Sequence, residues 1–150
     1  MIKVCYLGYD RIGKTTKLKR YDQSQVIHFD APKPEDPYWF TQYEYAKDFK
    51  YADRGPVEAS FFRPISLIEL ANYIHMSPIW NKTHYVVLSK AWGATLEARH
   101  KEELYLENPT ASPWWIKSML TKRMREHHDY YKHVLEVLLE LELDYSIVEV

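Results

Sequence analysis

The chain has 150 residues, of which 46% are apolar and 27% charged, and its formal net charge is −1. This length and composition are typical of one globular domain, able to bury about two-thirds of its unfolded surface and to fold without a disulfide or a metal. The near-zero charge excludes a protein drawn to nucleic acid or membranes by its overall charge, but it leaves a local basic patch open.

The first predicted strand is the apolar run 2–7, which contains Cys5, the only cysteine. A lone cysteine forms no intrachain disulfide, so we expect a buried core thiol in a reducing compartment. The chain has no apolar run of transmembrane length, and no signal-peptide pattern precedes the strand. We therefore expect a cytoplasmic protein, in the host cytoplasm if it is viral, with no membrane partner.

A glycine-containing loop follows this strand directly. Residues 8–16 read GYDRIGKTT and match the phosphate-binding pattern GxxxxGK[ST], with a predicted helix continuing from Thr16. Gly8 and Gly13 allow backbone angles that let loop N–H groups converge on phosphate oxygens. In this pattern the ammonium of Lys14 reaches the outer phosphates and the hydroxyl of Thr15 contacts magnesium. The sequence thus predicts a nucleotide site, and we expect Lys14 to be exposed while the loop is empty.

The remaining predicted elements alternate between strands and helices. We predict strands over 26–30, 51–53, 84–89 and 145–150, and helices over 38–49, 57–62, 66–75, 94–103 and 114–143, the last with a break near 127–129. Residues 31–34 stop the second strand, and 104–113 contain two prolines and an asparagine, typical of a loop. The alternation predicts one α/β domain over 1–150, with a mainly parallel five-stranded sheet and helices on both faces.

Ligands of such sheets bind beyond the carboxyl ends of the strands. The loop 8–16, Asp30, Asp53-Arg54 and Ser89-Lys90 all follow predicted strands, so we expect them to share one cleft. If the acceptor is a hydroxyl, Asp30 would be its catalytic base, and a turn-forming aspartate is the alternative.

The loop resembles that of the thymidylate kinase branch of the P-loop nucleoside monophosphate kinases. Members carry G-x-D-R-x-G-K-[ST]-T, and this chain matches the Asp and Arg of that pattern with Asp10 and Arg11. A second match is Asp53-Arg54, in the turn 53–56 after the third strand. The resemblance implies a three-layer P-loop NTPase fold and an enzyme of nucleotide metabolism, similar to short phage-type members, that transfers a phosphoryl group from ATP with Mg²⁺. The helix after the fourth strand resembles the family's entry into a lid, here 99–113.

By the resemblance, Asp10 contacts the acceptor sugar, Arg11 reaches the transferring phosphoryl group, Arg54 grips the acceptor phosphate, Asp53 orders the magnesium shell and Arg99 faces ATP. The loop pattern and the resemblance together give overlapping sets of site residues. They assign catalysis to Lys14, Arg11, Asp53, Arg54 and Asp30, ATP binding to Gly8, Asp10, Gly13, Lys14, Thr15, Thr16 and Arg99, acceptor binding to Asp10, Arg54, Glu58 and Phe62, and magnesium to Thr15 and Asp53.

The acceptor stays open, because Asp-Ala-Pro stands at 30–32 where the family usually has Arg-Glu-Pro. One alternative is a kinase acting on a hydroxyl in DNA, such as that of 5-hydroxymethyluracil, or on a polynucleotide end. Another is a non-catalytic nucleotide-binding module. The sequence leaves open whether the protein forms a homodimer. In the first alternative, a stretch of basic and aromatic residues in the last predicted helix would contact DNA. The other interpretation is that these residues pack the helix against the rest of the protein. This stretch comprises Trp114, Trp115, Lys117, Lys122, Arg123 and Arg125.

Overall fold

The computed structural model describes residues 1–30, 32–33 and 35–150. Five strands form one sheet in the order β2-β3-β1-β4-β5, and every neighbouring pair is parallel. The strands are β1 Val4–Leu7, β2 Val26–Ile27, β3 Tyr51–Asp53, β4 His84–Ser89 and β5 Asp144–Glu149. Because β1 is central, the loop that follows it opens at the middle of the carboxyl edge of the sheet.

Among the described residues, five α-helices connect or flank the strands. They are α1 Lys14–Leu18, α2 Gly55–Phe62, α3 Leu67–Met76, α4 Ala94–Glu107 and α5 Pro113–Glu140, with 3₁₀ helices over Gln23–Gln25 and Trp39–Asp48. The helix predicted over 66–75 is observed as α3, and Ser66 caps it, since the Ser66 hydroxyl accepts a hydrogen bond from the Glu69 N–H at 3.1 Å. Within the part of the chain described above, no helix is both long and apolar enough to cross a membrane.

The predicted extents of the last two helices are wrong. The expected loop over 104–113 is shorter, because α4 continues to Glu107 and α5 begins at Pro113, which occupies the first helical turn where its missing N–H costs nothing. The expected break near 127–129 is absent from α5. His127 does not interrupt the helix, because its ring is buried and bonds the Lys90 carbonyl oxygen at 2.8 Å.

The second strand also differs from its prediction, because it ends at Ile27 rather than Asp30. The Phe29 N–H leaves the ladder and donates to Asp53 Oδ1 at 3.1 Å instead. Ala31 and Pro34, expected to help stop this strand, lie outside the described residues. The helix predicted over 38–49 is a 3₁₀ helix rather than an α-helix.

Side chains of the strands alternate between two apolar layers. Cys5 and Leu7 of β1 pack with Tyr85 of β4 into the larger core, which α2, α3 and α5 cover. Tyr6 packs with Leu88 on the opposite face, which α1 and α4 cover. Helices therefore lie on both faces of the sheet, as an α/β fold requires. Burial raises the pKa of the Cys5 thiol, so it is a neutral core residue.

Gly55 makes the turn from β3 into α2 possible. Its φ is +64°, and a Cβ there would lie 3.1 Å from Cys5 Sγ and 3.2 Å from the buried ring of Trp80. We expect Gly55→Ala to lower the free energy of unfolding by about 2 kcal/mol, measured by urea denaturation. Gly93→Ala is the matched control, because Gly93 has open space around it. Equal losses in the two variants would contradict this account.

Candidate functional site

A cleft of about 780 Å³ opens at the carboxyl edge of the sheet. Its lining comes from the loop after β1, the turn after β3, α4 and the end of β5. The lining residues are Asp10, Arg11, Ile12, Gly13, Lys14, Thr15, Thr16, Lys17, Asp53, Arg54, Arg99, Glu149 and Val150. The loop 8–16, called the phosphate loop below, and the Asp53-Arg54 pair are therefore brought together, and Arg11 and Arg54 line the same cavity.

The glycines of the phosphate loop have distinct geometric roles. Gly13 has a φ of +108°, in the region that favours glycine, and it precedes α1 without a side-chain cap. At Gly8 a Cβ would lie 2.5 Å from Ile12 Cγ2, so the close approach of the loop to itself requires glycine there. The first N–H groups of α1 have no capping side chain and are available to an anion.

Lys14 is not exposed, so that prediction is wrong. Only 9% of it is accessible, and its Nζ lies 3.0 Å and 3.3 Å from the two carboxylate oxygens of Glu58. It also donates to the carbonyl oxygen of Gly8. An ammonium has three N–H donors, and here each one has a protein acceptor.

Glu58 lies beneath the phosphate loop, with 2% of its surface accessible. Besides Lys14, it accepts hydrogen bonds from the Gly8 N–H at 3.3 Å and from the Tyr130 hydroxyl. The Nε of Arg54 lies 3.8 Å from Glu58 Oε2. Burial raises the pKa of Tyr130 and the Glu58 charge raises it further, so Tyr130 is a neutral donor. Sequence reasoning missed this cluster, for which the only signal was the i, i+4 spacing of Arg54 and Glu58.

Two residues assigned to the acceptor lie away from the lining of the cleft. Glu58 is below the loop, and Phe62 is at the end of α2, where its ring packs 5.0 Å from that of Phe61 and 6.4 Å from that of Tyr130. Of the four predicted acceptor residues, Asp10 and Arg54 line the cleft.

Two arginines of the cleft have strained backbones. Arg11 and Arg54 each have a φ of +65°, which is unfavourable for a residue with a side chain. Such conformations are concentrated at functional sites. Arg54 Nη2 lies 3.9 Å from Asp10 Oδ1, so the turn after β3 contacts the phosphate loop.

Helix α4 is tied to the phosphate loop. Arg99 Nη1 donates to the Arg11 carbonyl oxygen at 3.2 Å, and Glu103 Oε2 lies 3.5 Å from Arg11 Nε. The other oxygen of Glu103 lies 3.0 Å from Arg123 Nη1 on α5. Residues of the predicted lid segment are thus in contact with the loop.

Helix α5 supports the phosphate loop from behind. The Tyr9 hydroxyl donates to Glu126 Oε1 at 2.9 Å, and the Tyr9 N–H donates to the Tyr131 hydroxyl at 3.3 Å. Tyr131 in turn donates to the carbonyl oxygen of Leu88 in β4. Burial, followed by the bond to Glu126, raises the pKa of Tyr9, so its phenol stays protonated.

Magnesium was predicted to bind the Thr15 hydroxyl and the Asp53 carboxylate. Thr15 is exposed and Asp53 is buried. Asp53 Oδ1 accepts from the Phe29 N–H, and its Oδ2 lies 2.7 Å from His28 Nδ1. Each carboxylate oxygen keeps a further lone pair, and both residues line the cleft. Mg²⁺ usually takes only one or two protein oxygens, with phosphates and water completing its shell, so these residues fit the ion.

Two of the positions expected in the cleft lie elsewhere. Asp30 is exposed and is not part of the cleft lining described above. Ser89 and Lys90 line a neighbouring cleft of about 640 Å³, which shares Glu149 and Val150 with the first. Sequence reasoning missed His28, which the structure pairs with Asp53 and which only its place after β2 could have indicated.

The basic stretch of α5 divides into two faces. Arg123 bonds Glu103, and Trp115 is partly buried against a small apolar cluster. The remaining members are exposed and line a groove of about 680 Å³. They are Trp114, Lys117, Lys122 and Arg125.

No protein-family model matches this chain, and no curated protein and no solved structure matches it. The arguments for its function are therefore the geometry and the chemistry of the cleft.

Proposed function

We propose that this protein is an ATP-dependent P-loop kinase that transfers the γ-phosphoryl group to a deoxynucleoside monophosphate, in the manner of thymidylate kinases. The observation that carries the proposal is that Arg11, Arg54 and Arg99 reach one cleft from three separate elements, beside a GxxxxGKT loop. Phosphoryl transfer crowds negative charge around the transferred group, and its catalysis is mainly positioning and charge neutralisation. Binding of a nucleotide alone would not need Arg54 from the turn after β3.

The proposal assigns a role to the main polar residues of the cleft. The phosphate loop would bind the ATP phosphates through its N–H groups, with Lys14 at the outer ones. Arg54 would bind the acceptor phosphate through two parallel hydrogen bonds, oriented by its neighbour Asp10. Thr15 and Asp53 would hold Mg²⁺, which supplies charge neutralisation at the phosphates when bound. A phosphate acceptor needs no strong base, so the exposed Asp30 has no required task.

The experiment offers the purified protein γ-labelled ATP with Mg²⁺ and one of three acceptors. These are free deoxynucleoside monophosphates, plain DNA, and DNA that contains 5-hydroxymethyluracil. Label in a nucleoside diphosphate supports the proposal, and label in DNA supports the alternative below. Binding of ATP without transfer to any acceptor would refute a kinase and leave a nucleotide-binding module.

The alternative function is a kinase that phosphorylates a hydroxyl in DNA, and the exposed groove on α5 favours it. Trp114, with 75% of its surface accessible, offers a stacking platform at one end, and Lys117, Lys122 and Arg125 offer charge along the groove. Glu126, which also lines the groove, accepts from the Tyr9 hydroxyl of the phosphate loop, so the groove borders the elements that form the cleft. A base in a DNA duplex would have to leave the base stack to reach the cleft.

The two functions respond differently to charge reversal in this groove. In the alternative, the triple variant Lys117→Glu, Lys122→Glu and Arg125→Glu is expected to label DNA about tenfold less, because it loses phosphate contacts. Labelling of free monophosphates should not change. The control reverses three exposed lysines near the amino ends of the strands, namely Lys47, Lys50 and Lys82. An equal loss with the control would exclude a specific role for the α5 groove.

A further inference from the structure

The N–H donors of the Lys14 ammonium all have protein acceptors, which leaves none for a ligand. The three acceptors of the Lys14 ammonium are the Gly8 carbonyl oxygen and the two oxygens of Glu58. Both charged side chains are buried, so water does not weaken their attraction as it does at a surface. A phosphate oxygen that binds Lys14 must therefore displace at least one of these acceptors.

We propose that Glu58 is a positioning residue that holds Lys14 while no nucleotide is bound and releases it to a phosphate oxygen when a nucleotide binds. This inference rests on the proposed nucleotide site. Carboxylate and phosphate oxygens are the same class of anionic acceptor for an ammonium, so they compete for the same donors. The pair keeps the lysine ordered beside the loop, at the cost of part of the affinity for the nucleotide.

Glu58 keeps other donors after the exchange. The Gly8 N–H and the Tyr130 hydroxyl already donate to it, and Arg54 Nε lies 3.8 Å from its Oε2. A buried carboxylate that lost every partner would be strongly destabilising, and these three groups prevent that. The closest remaining cation is Arg54, the predicted acceptor arginine. Release of Lys14 therefore strengthens the hold of Glu58 on Arg54 Nε, while the Arg54 side chain stays in the lining of the cleft.

The test measures the dissociation constant of Mg-ATP by calorimetry in the wild type and in Glu58→Gln. Glutamine keeps the shape and an acceptor oxygen but removes the competing charge, so we expect the dissociation constant to fall about fivefold, a change of about 1 kcal/mol. Structural damage would raise the constant, so the direction of the change separates the two causes. Tyr130→Phe is the control, since it removes a partner of Glu58 without touching Lys14, and it should not tighten binding.

An unchanged or higher dissociation constant in Glu58→Gln, with tight binding in the wild type, would overturn the exchange alone. Absence of ATP binding in the wild type would instead refute the proposed function. Should Glu58→Gln fail to fold, the wild-type protein gives the answer by NMR. The carboxylate ¹³C signal of Glu58 should shift as Mg-ATP is added and Lys14 leaves, and a constant signal at saturation would overturn the inference.

Discussion

Lys14→Met is expected to lower the rate of phosphoryl transfer about 10³-fold, because the outer phosphates lose the cation that neutralises them. The same change should lower the free energy of unfolding by about 2 kcal/mol, since the buried carboxylate of Glu58 loses its closest counter-ion and keeps Arg54, at 3.8 Å, as a more distant one. Transfer is measured with labelled ATP and stability by chemical denaturation. The loss of stability is the part of this prediction that the loop motif alone does not give.

The double variant Lys14→Met with Glu58→Gln separates the two effects. Replacing both charges of a buried pair by neutral groups of similar volume is often close to neutral for stability. We therefore expect the double variant to regain most of the lost stability and none of the transfer. Transfer by Lys14→Met at the wild-type rate would refute the assigned site, and a fully stable Lys14→Met would refute the buried ion pair.

Arg11→Gly is expected to lower the rate of transfer about 10³-fold while the protein becomes slightly more stable. The guanidinium would be lost from the transferring group, where an arginine commonly contributes this much. Its ion pair with Glu103 is 3.5 Å long and open to solvent on the Arg11 side, so it contributes little to stability. Glycine relieves the backbone strain at a φ of +65°, which is worth about 1 kcal/mol. Kinetics and thermal unfolding of the same preparation test both parts.

Glu142→Gly is the matched control for Arg11→Gly. Glu142 also has a positive φ, of 54°, but it is exposed and follows the end of α5, where glycine is favoured. Its replacement should stabilise the protein and leave transfer unchanged. If Arg11→Gly transferred phosphate as fast as Glu142→Gly does, Arg11 would have no catalytic role.

Local signals in the sequence predicted most of the elements. The alternating apolar runs identified β3 and β4 with their observed bounds, and Ser66 marked the start of α3 because its hydroxyl satisfies a free N–H of the first turn. The phosphate loop and Asp53-Arg54 were expected to meet because the carboxyl ends of parallel strands share one edge.

The sequence did not predict what depends on packing between distant segments. Glu58 is buried because α2 packs against α5, which brings Tyr130 to it from 72 positions along the chain. No local pattern distinguishes such a glutamate from a solvated one. The burial of Lys14 follows from the same contact, so its expected exposure was wrong for the same reason. His28 likewise acquires its partner only when β2 and β3 pair.

The support of the phosphate loop by α5 has a consequence for the order of assembly. The motif is complete once residue 16 has been synthesised, but Glu126, Tyr130 and Tyr131, which support the loop and Glu58, come more than 100 residues later. A nascent chain that ends before α5 would carry every residue of the motif without the loop shape that we propose binds a triphosphate. Affinity for ATP should therefore arise only with the last helix, late in folding, because contacts this distant in sequence are slow to form.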